Sequence, residues 1–484
     1  MVSGRVGSRE LAAALGAWRS SAPTLADALA ESVRAAVLDG RLGVGTVLPS
    51  ERALAESLRV SRGTLVNALG VLRRGGWMVT RHGSGSELRL PTAVTERITP
   101  WTLDHPGGEL ELDLTHAVTA APHAAVTAAG RFAAAALPPL LVGDGVTETH
   151  DAELRAAIAV RYTAEGMPTE PREILITTGA RAALHLILEE LHDRRRPILV
   201  ENPSYHGALA LIRARRARTI AIPVTEQGWD LTAIGAASRG AIAYLVPDFH
   251  NPTGALMPPE QRLDLATLAD RLGITLVIDE TMRDLDLRDP PRPIPRIAGS
   301  PVVALGTTSK TVWGGIRVGW IRASAPMIRR LQRNPLTGLF TPSPLTQLAA
   351  RPLVASLDEL LVQRRTQLRT QRDHLAAALE AGDAWDFTTP DGGLTIWLRV
   401  HGISARTLVD RAHRQGLALA HGTQFAIEGG AIDRIRIPFT AHPEALDRAV
   451  AILQNALERP PDGAEEHARP AFGRVGDTGL DTIY

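Results

Sequence analysis

Apolar residues recur every fourth position at Leu25, Leu29, Val33 and Val37, which predicts an amphipathic helix that stops at Asp39-Gly40. Gly43 and Gly45 read as a loop. Ser50 is placed to cap a second helix that turns Leu54 and Leu58 inward. After a tight turn at Arg59-Val60, Ser61 caps a third helix burying Leu65, Ala68, Leu69 and Leu72, which ends at Gly75-Gly76. A short strand from Trp77 to Arg81, a Gly-rich turn from His82 to Gly85 and a second strand from Glu87 to Leu90 follow. Three short helices and a hairpin predict a winged helix-turn-helix over residues 1–90. Residues 91–110 hold Pro91, Pro100, Pro106 and Gly107-Gly108 with no sustained period, which predicts a semi-rigid linker. From 111 to 458 the pattern changes. Short apolar runs at Ile198–Val200, Ala243–Val246, Thr275–Ile278 and Val302–Leu305 alternate with helical patterns at 180–191 and 259–272. That alternation predicts an α/β domain with a mainly parallel sheet, whose ligands belong at the carboxyl ends of its strands. Residues 459–484 read as a disordered tail.

Composition narrows the choices. An apolar fraction of 44% over 484 residues can bury a large core, and the absence of cysteine excludes disulfides and thiolate metal sites. No H-E-x-x-H or clustered histidine motif supports a metal. Leu11 to Trp18 is too short and interrupted for a signal peptide, and no run approaches the roughly 20 apolar residues of a membrane span. A cytoplasmic protein is expected. The net charge of +1 is uneven: residues 1–90 carry twelve arginines against seven acids, a surplus of 5 that the rest must offset with about −4. A basic N-terminal segment on a near-neutral body points to nucleic acid.

One side chain stands apart. Lys310 is the only lysine; the other 52 of the 53 basic residues are arginine. Arginine remains protonated and cannot act as an amine nucleophile, whereas lysine can lose its proton and form a Schiff base with an aldehyde. Thr307 and Ser309 place hydroxyls beside the amine, and Arg317 follows seven residues later, a set suited to a phosphate monoester. Aldehyde plus phosphate describes pyridoxal 5'-phosphate. The candidate partners fall after predicted strands. Thr177-Thr-Gly179-Ala180-Arg181 opens a helix whose free N–H groups suit phosphate. Tyr205 can stack on a pyridine ring, Asn251 can bond its hydroxyl, and Asp279 can hold its nitrogen protonated. Gly306 to Arg317 lacks the glycine directly before lysine that a nucleotide-binding loop needs, so ATP is rejected.

The string Leu48-Pro-Ser-Glu-Arg52-Ala-Leu-Ala, with Val60-Ser-Arg62-Gly-Thr64, Gly76-Trp77 and His82-Gly83, resembles the GntR family of bacterial repressors over some 65 residues. The resemblance implies that Arg52, Ser61, Arg62, Gly63, Thr64, His82 and Gly83 lie at double-stranded operator DNA, the helix from Ser61 entering the major groove. Gly63 offers no side chain there, and Val66 stands where some relatives have arginine. Residues 111–458 resemble the fold-type I, aspartate-aminotransferase-like enzymes that use pyridoxal phosphate. That resemblance implies Lys310 as the Schiff-base lysine, Asp279 at the ring nitrogen, Asn251 at the ring oxygen and Tyr205 on the ring face. It implies Thr307, Ser309, Arg317 and Gly179 to Arg181 at the phosphate. In Arg434-Ile-Arg436-Ile-Pro-Phe439 it implies Arg436 at a substrate carboxylate, and Gly392-Gly393 at the substrate-side turn. Many relatives carry a tyrosine shortly after the aspartate; here the run is Asp279-Glu-Thr-Met-Arg283.

Together the halves resemble the MocR subfamily of GntR regulators. Membership implies a transcription factor that senses pyridoxal phosphate or an amino compound and assembles as a domain-swapped, head-to-tail homodimer. The competing readings are a working aminotransferase with a regulatory head, and a protein that stores the cofactor.

Overall fold

The structure, a computed structural model, describes residues 6–15, 18, 24–38, 42, 46–81, 85–89, 91, 112–143, 151–225, 228–299 and 302–458. The expected DNA contacts His82 and Gly83, nearly all of the 91–110 linker and the 459–484 tail lie outside the described residues.

The N-terminal head contains helices α1 (Ser8–Leu15), α2 (Leu25–Leu38), α3 (Glu51–Leu58) and α4 (Arg62–Arg74), then strands β1 (Met78–Arg81) and β2 (Gly85–Leu88). The caps are those the sequence implies: the Ser50 hydroxyl accepts the Ala53 amide at 3.4 Å and the Ser61 hydroxyl the Thr64 amide at 3.0 Å. Arg59, in the left-handed region at φ 53°, ends α3 and makes the tight turn. The antiparallel β1–β2 wing gains a third edge where Leu48 donates to Ser86 and Leu88 to Thr46. Two points differ from the reading above. Leu25 is 49% exposed while Leu29, Val33 and Val37 are buried, because a strict four-residue spacing drifts around a helix of 3.6 residues per turn. Helix α1 was not anticipated; its Leu11 and Leu15 enter the head's core, but one apolar i, i+4 pair among alanines is a faint signal.

The body is built on an eight-stranded sheet. Its strands are β4 (Ile174–Thr177), β5 (Ile198–Asn202), β6 (Thr219–Thr225), β7 (Gly228–Trp229), β8 (Ile242–Leu245), β9 (Thr275–Asp279), β10 (Val302–Thr307) and β11 (Gly319–Arg322). Their order is β4-β11-β10-β9-β8-β5-β6-β7; β10, β9, β8, β5 and β6 run parallel, while β11 and β7 are antiparallel to their neighbours. Alternate residues feed two different cores. Val200, Tyr244 and Val277 pack on one face, and Leu199, Ala243, Leu245, Leu276 and Ile278 on the other. Burial on both faces is why these strands read as continuous apolar runs. Helices α5 (Ala180–Leu191) and α6 (Pro259–Leu272) match the predicted ranges.

A second, antiparallel sheet joins β12 (Trp385–Asp386), β13 (Thr395–Val400), β16 (Arg434–Pro438) and β15 (Ala420–His421). The chain enters the body through β3 (Leu112–Asp113), which pairs in parallel with β14 (Leu417–Ala418). No helix among the described residues is long and apolar enough to cross a membrane.

Candidate cofactor and effector site

The parallel strands end along one edge of the large sheet, and every proposed ligand group in the body hangs from that edge or from β16. Gly179, Ala180, Arg181, Tyr205, Asn251, Asp279, Thr307, Ser309, Lys310, Arg317 and Arg436 all line one cavity of about 340 Å³.

At the inner wall, Asp279 ends β9. Its Oδ2 accepts the Tyr244 hydroxyl at 2.7 Å and its Oδ1 the Thr281 amide at 3.0 Å. Burial raises the Asp279 pKa, against the Thr281 and Tyr244 hydrogen bonds and the Lys310 charge, which favour the carboxylate. Asn251 is buried, lines the cavity, and its amide oxygen has no hydrogen-bond partner among the described residues. The Tyr205 ring folds back over Gly207, where a Cβ would sit 2.5 Å from the ring; only glycine at 207 leaves that room. Gly392 backs Phe249 as closely, since a Cβ there would lie 2.5 Å from both the Phe249 ring and the Leu285 carbonyl oxygen.

At the phosphate end, Gly179 adopts φ 116° and precedes the first turn of α5, whose amides face outward from the strand end. The Ser309 amide donates to the Thr307 hydroxyl at 3.1 Å, which tightens the loop leading to the lysine. Arg317 holds a left-handed backbone at φ 54°, and both it and Arg181 are exposed at the cavity rim.

The Lys310 side chain faces the cavity with its amine deep among protein atoms. It donates to the Ala117 carbonyl at 2.8 Å. Burial, reinforced by the Arg436 charge and opposed by Asp279, pushes its pKa from 10.5 down to about 8. Arg436, on β16, is 1% exposed, sits 4.9 Å from the centre of the Phe425 ring and donates to the Thr115 carbonyl. Burial pulls its pKa down to about 10, with Tyr205 opposing.

Several lining residues escaped the sequence reading. Tyr244 stands inside a predicted strand with its hydroxyl on Asp279, and a polar tip in an apolar run was the available signal. His206, next to Tyr205, is packed edge-on against Phe425 and held neutral; burial, with Arg436 and Lys310, drives its pKa to about 3. Thr115 and Ala117 contribute backbone carbonyls, for which no sequence signal exists, and His116 and Val118 line the cavity beside them. Met282, in the loop after Asp279, also lines the cavity.

On the head, Arg52, Ser61 and Arg62 are exposed. The Thr64 hydroxyl, expected to face DNA, lies 2.8 Å from that of Ser61, so these two act first as the cap of α4. Arg62 is left as the leading side chain of that helix.

A model of the aminotransferase class I and II family matches residues 143–453, and one of the gntR family of bacterial regulatory proteins matches residues 25–88. The HTH-type transcriptional regulator YisV of Bacillus subtilis is 28% identical over 405 residues, covering 75% of this chain and 82% of that protein. The probable rhizopine catabolism regulatory protein MocR of Rhizobium meliloti is 27% identical over 389 residues, covering 75% and 78%. The chain belongs to the MocR group: a gntR-family regulator head on an aminotransferase class I and II body. The body of this MocR-type chain is also similar to a solved α-aminoadipate aminotransferase, LysN, of Thermus thermophilus, complexed with N-(5'-phosphopyridoxyl)-L-leucine. The TM-score is 0.67 and the identity 27%, over 75% of this chain and 96% of that one.

Proposed function

We propose that the protein is a transcriptional regulator that binds pyridoxal 5'-phosphate through Lys310 and reads out an amino compound bearing a carboxylate. The observation that carries this reading is the convergence of a depressed-pKa lysine, a buried carboxylate and a buried cationic carboxylate-binding group in one cavity, on a chain that also carries a DNA-binding head.

The donor set fits the cofactor. The buried, partnerless amide oxygen of Asn251 lies where a polar ligand group would satisfy it, and the outward amides before α5 together with Arg181 and Arg317 suit a phosphate dianion. When bound, pyridoxal phosphate supplies an aldehyde that exchanges amines and a ring that withdraws electrons. The protein does the rest. Tyr244 and Thr281 orient Asp279 so that its carboxylate can hold a proton on a ring nitrogen. Tyr205, in the cavity wall, would lie against the ring. With a pKa near 8, roughly a tenth of the Lys310 amine is neutral at pH 7, against a few parts in ten thousand for an ordinary lysine. Arg436, stacked on Phe425, fixes a carboxylate in place. Arg62 at the start of α4 reads the major groove, with Arg52 on a phosphate. A homodimer of head-to-tail arrangement would bring two heads to two half-sites.

Borohydride reduction after incubation with pyridoxal phosphate, followed by peptide mass spectrometry, tests the cofactor half. The adduct is expected on Lys310; a colourless protein without adduct overturns the reading. Gel-shift selection from genomic fragments tests the DNA half, and failure to retain any specific fragment would leave cofactor storage. The second reading, a working transaminase, draws on the same assembled Lys310, Asp279 and Arg436. Met282 in place of a tyrosine, together with the attached head, favours regulation. Steady multiple turnover with amino donors and keto acids would reverse that ranking.

A further inference from the structure

The chain passes from the linker into the body along the cavity wall. At one end of this stretch the Leu112 and Leu114 amides donate to the Gly416 and Ala418 carbonyls at 3.0 and 2.9 Å. At the other, the Thr119 hydroxyl reaches the Lys310 backbone carbonyl at 3.4 Å and Arg364 donates to the Ala120 carbonyl at 2.6 Å. Between these anchors, Thr115 to Val118 line the cavity, and Val118 is 44% exposed. Two carbonyls of this span are held by the cavity's two deep cations: Ala117 by the Lys310 amine at 2.8 Å, and Thr115 by the Arg436 guanidinium.

Those are the same two groups that the proposed function assigns to aldehyde and carboxylate, and the inference rests on that assignment. Condensation of the Lys310 amine with an aldehyde forms a C=N bond and expels one water, which removes hydrogens that Ala117 accepts. A carboxylate brings a full negative charge and two acceptor oxygens to Arg436, so it can pair with the guanidinium in bidentate fashion where the Thr115 carbonyl offers one neutral oxygen. Ligands and strap therefore compete for the same donors. We propose that residues 114–119 form a strap latched by the ligand-free site's own cations. Cofactor and effector release it, and because only the two-residue strand β3 separates it from the linker, its release carries site occupancy toward the head. A ligand shifts a conformational equilibrium only by its preference between the two states, and here that preference is displacement itself.

Hydrogen–deuterium exchange on the full, ligand-free chain tests the latch without knowledge of the effector. Arg436→Leu and Lys310→Ala should each speed exchange of the 114–119 amides about tenfold or more, the value of one lost hydrogen bond to a charged group. Exchange in β9 and β10 should stay slow, and Arg436→Lys should restore protection. Unchanged exchange at 114–119, with β9 and β10 intact, overturns the proposal. In the wild type, pyridoxal phosphate followed by absorbance should loosen the same amides, and in Lys310→Ala it should not. If absorbance shows no cofactor binding, the functional reading fails while the two variants still judge the latch. Coupling to the head is read from affinity for a genomic fragment that the wild type retains; Arg436→Leu should change it at least about fivefold. A loosened strap with unchanged DNA affinity would reduce the segment to a local flap and overturn the coupling.

Discussion

The body and the head use positive charge in opposite ways. In the body, Arg436 is 1% exposed and the Lys310 amine lies deep in a cavity, each with a backbone carbonyl as partner. In the head, Arg52 and Arg62 stand exposed on a helical surface. A buried cation acts over one contact, at fixed geometry, with little screening, and its desolvation shows up as a shifted pKa. An exposed one acts through a field that salt weakens within a Debye length of about 8 Å at physiological ionic strength. Under the proposed function, recognition in the cavity is therefore set by the sheet edge, and recognition by the head by exposed charge.

Experiments can break that contrast. The largest effect is expected from Lys310→Ala, which should abolish reducible pyridoxal phosphate and its visible absorbance while leaving the circular dichroism spectrum unchanged; a trapped adduct elsewhere would contradict it. Next is pH. Because the neutral amine reacts, the rate of cofactor incorporation should rise nearly tenfold per unit well below pH 8, roughly fiftyfold from pH 6 to 8, and then level off. A profile still climbing beyond pH 10 would mean that burial does not govern this lysine. The stability consequence has a definite sign. The folded pKa near 8 lies below the ordinary 10.5, so the unfolded chain binds more protons between those values. In ligand-free protein the Lys310 contribution should make the fold more stable as pH rises from about 8 to 10.5.

Third, Arg436→Leu should weaken binding of any amino acid that perturbs the cofactor spectrum by about 10- to 150-fold, as expected for a lost hydrogen bond to a charged group, with little salt dependence. Finally, Arg62→Ala should cost about 1–3 kcal/mol of DNA binding if it reads a base. For Arg52→Ala the loss should be nearly equal across sequences, with a smaller slope of affinity against salt. If the Arg436 effect disappears in high salt, or the Arg52 effect persists in it, the contrast between the two regions is wrong.

How much of this was legible beforehand follows the same physics. β5, β8, β9 and β10 were readable because both of their faces are buried, leaving unbroken apolar runs. Lys310 was readable because the chain uses arginine everywhere else. The Ser50 and Ser61 caps announce themselves by residue type. Thr115 and Ala117 could not be found, because they act through carbonyl groups that every residue possesses. Tyr244 was overlooked because its strand sits some 35 residues from Asp279, and only pairing β8 beside β9 brings hydroxyl and carboxylate together. Helix α1 carries too few apolar positions to stand out from its alanines.

Asp279 is the last paired residue of β9, while Lys310, Asn251 and Tyr205 follow the ends of three other strands, in loops that take no part in the pairing between strands. A substitution or small insertion in one loop can therefore alter one recognition group while the other three keep their places and the scaffold keeps its stability. Under the proposed function, such a molecule can change the compound it answers to over evolutionary time without first having to learn to fold again.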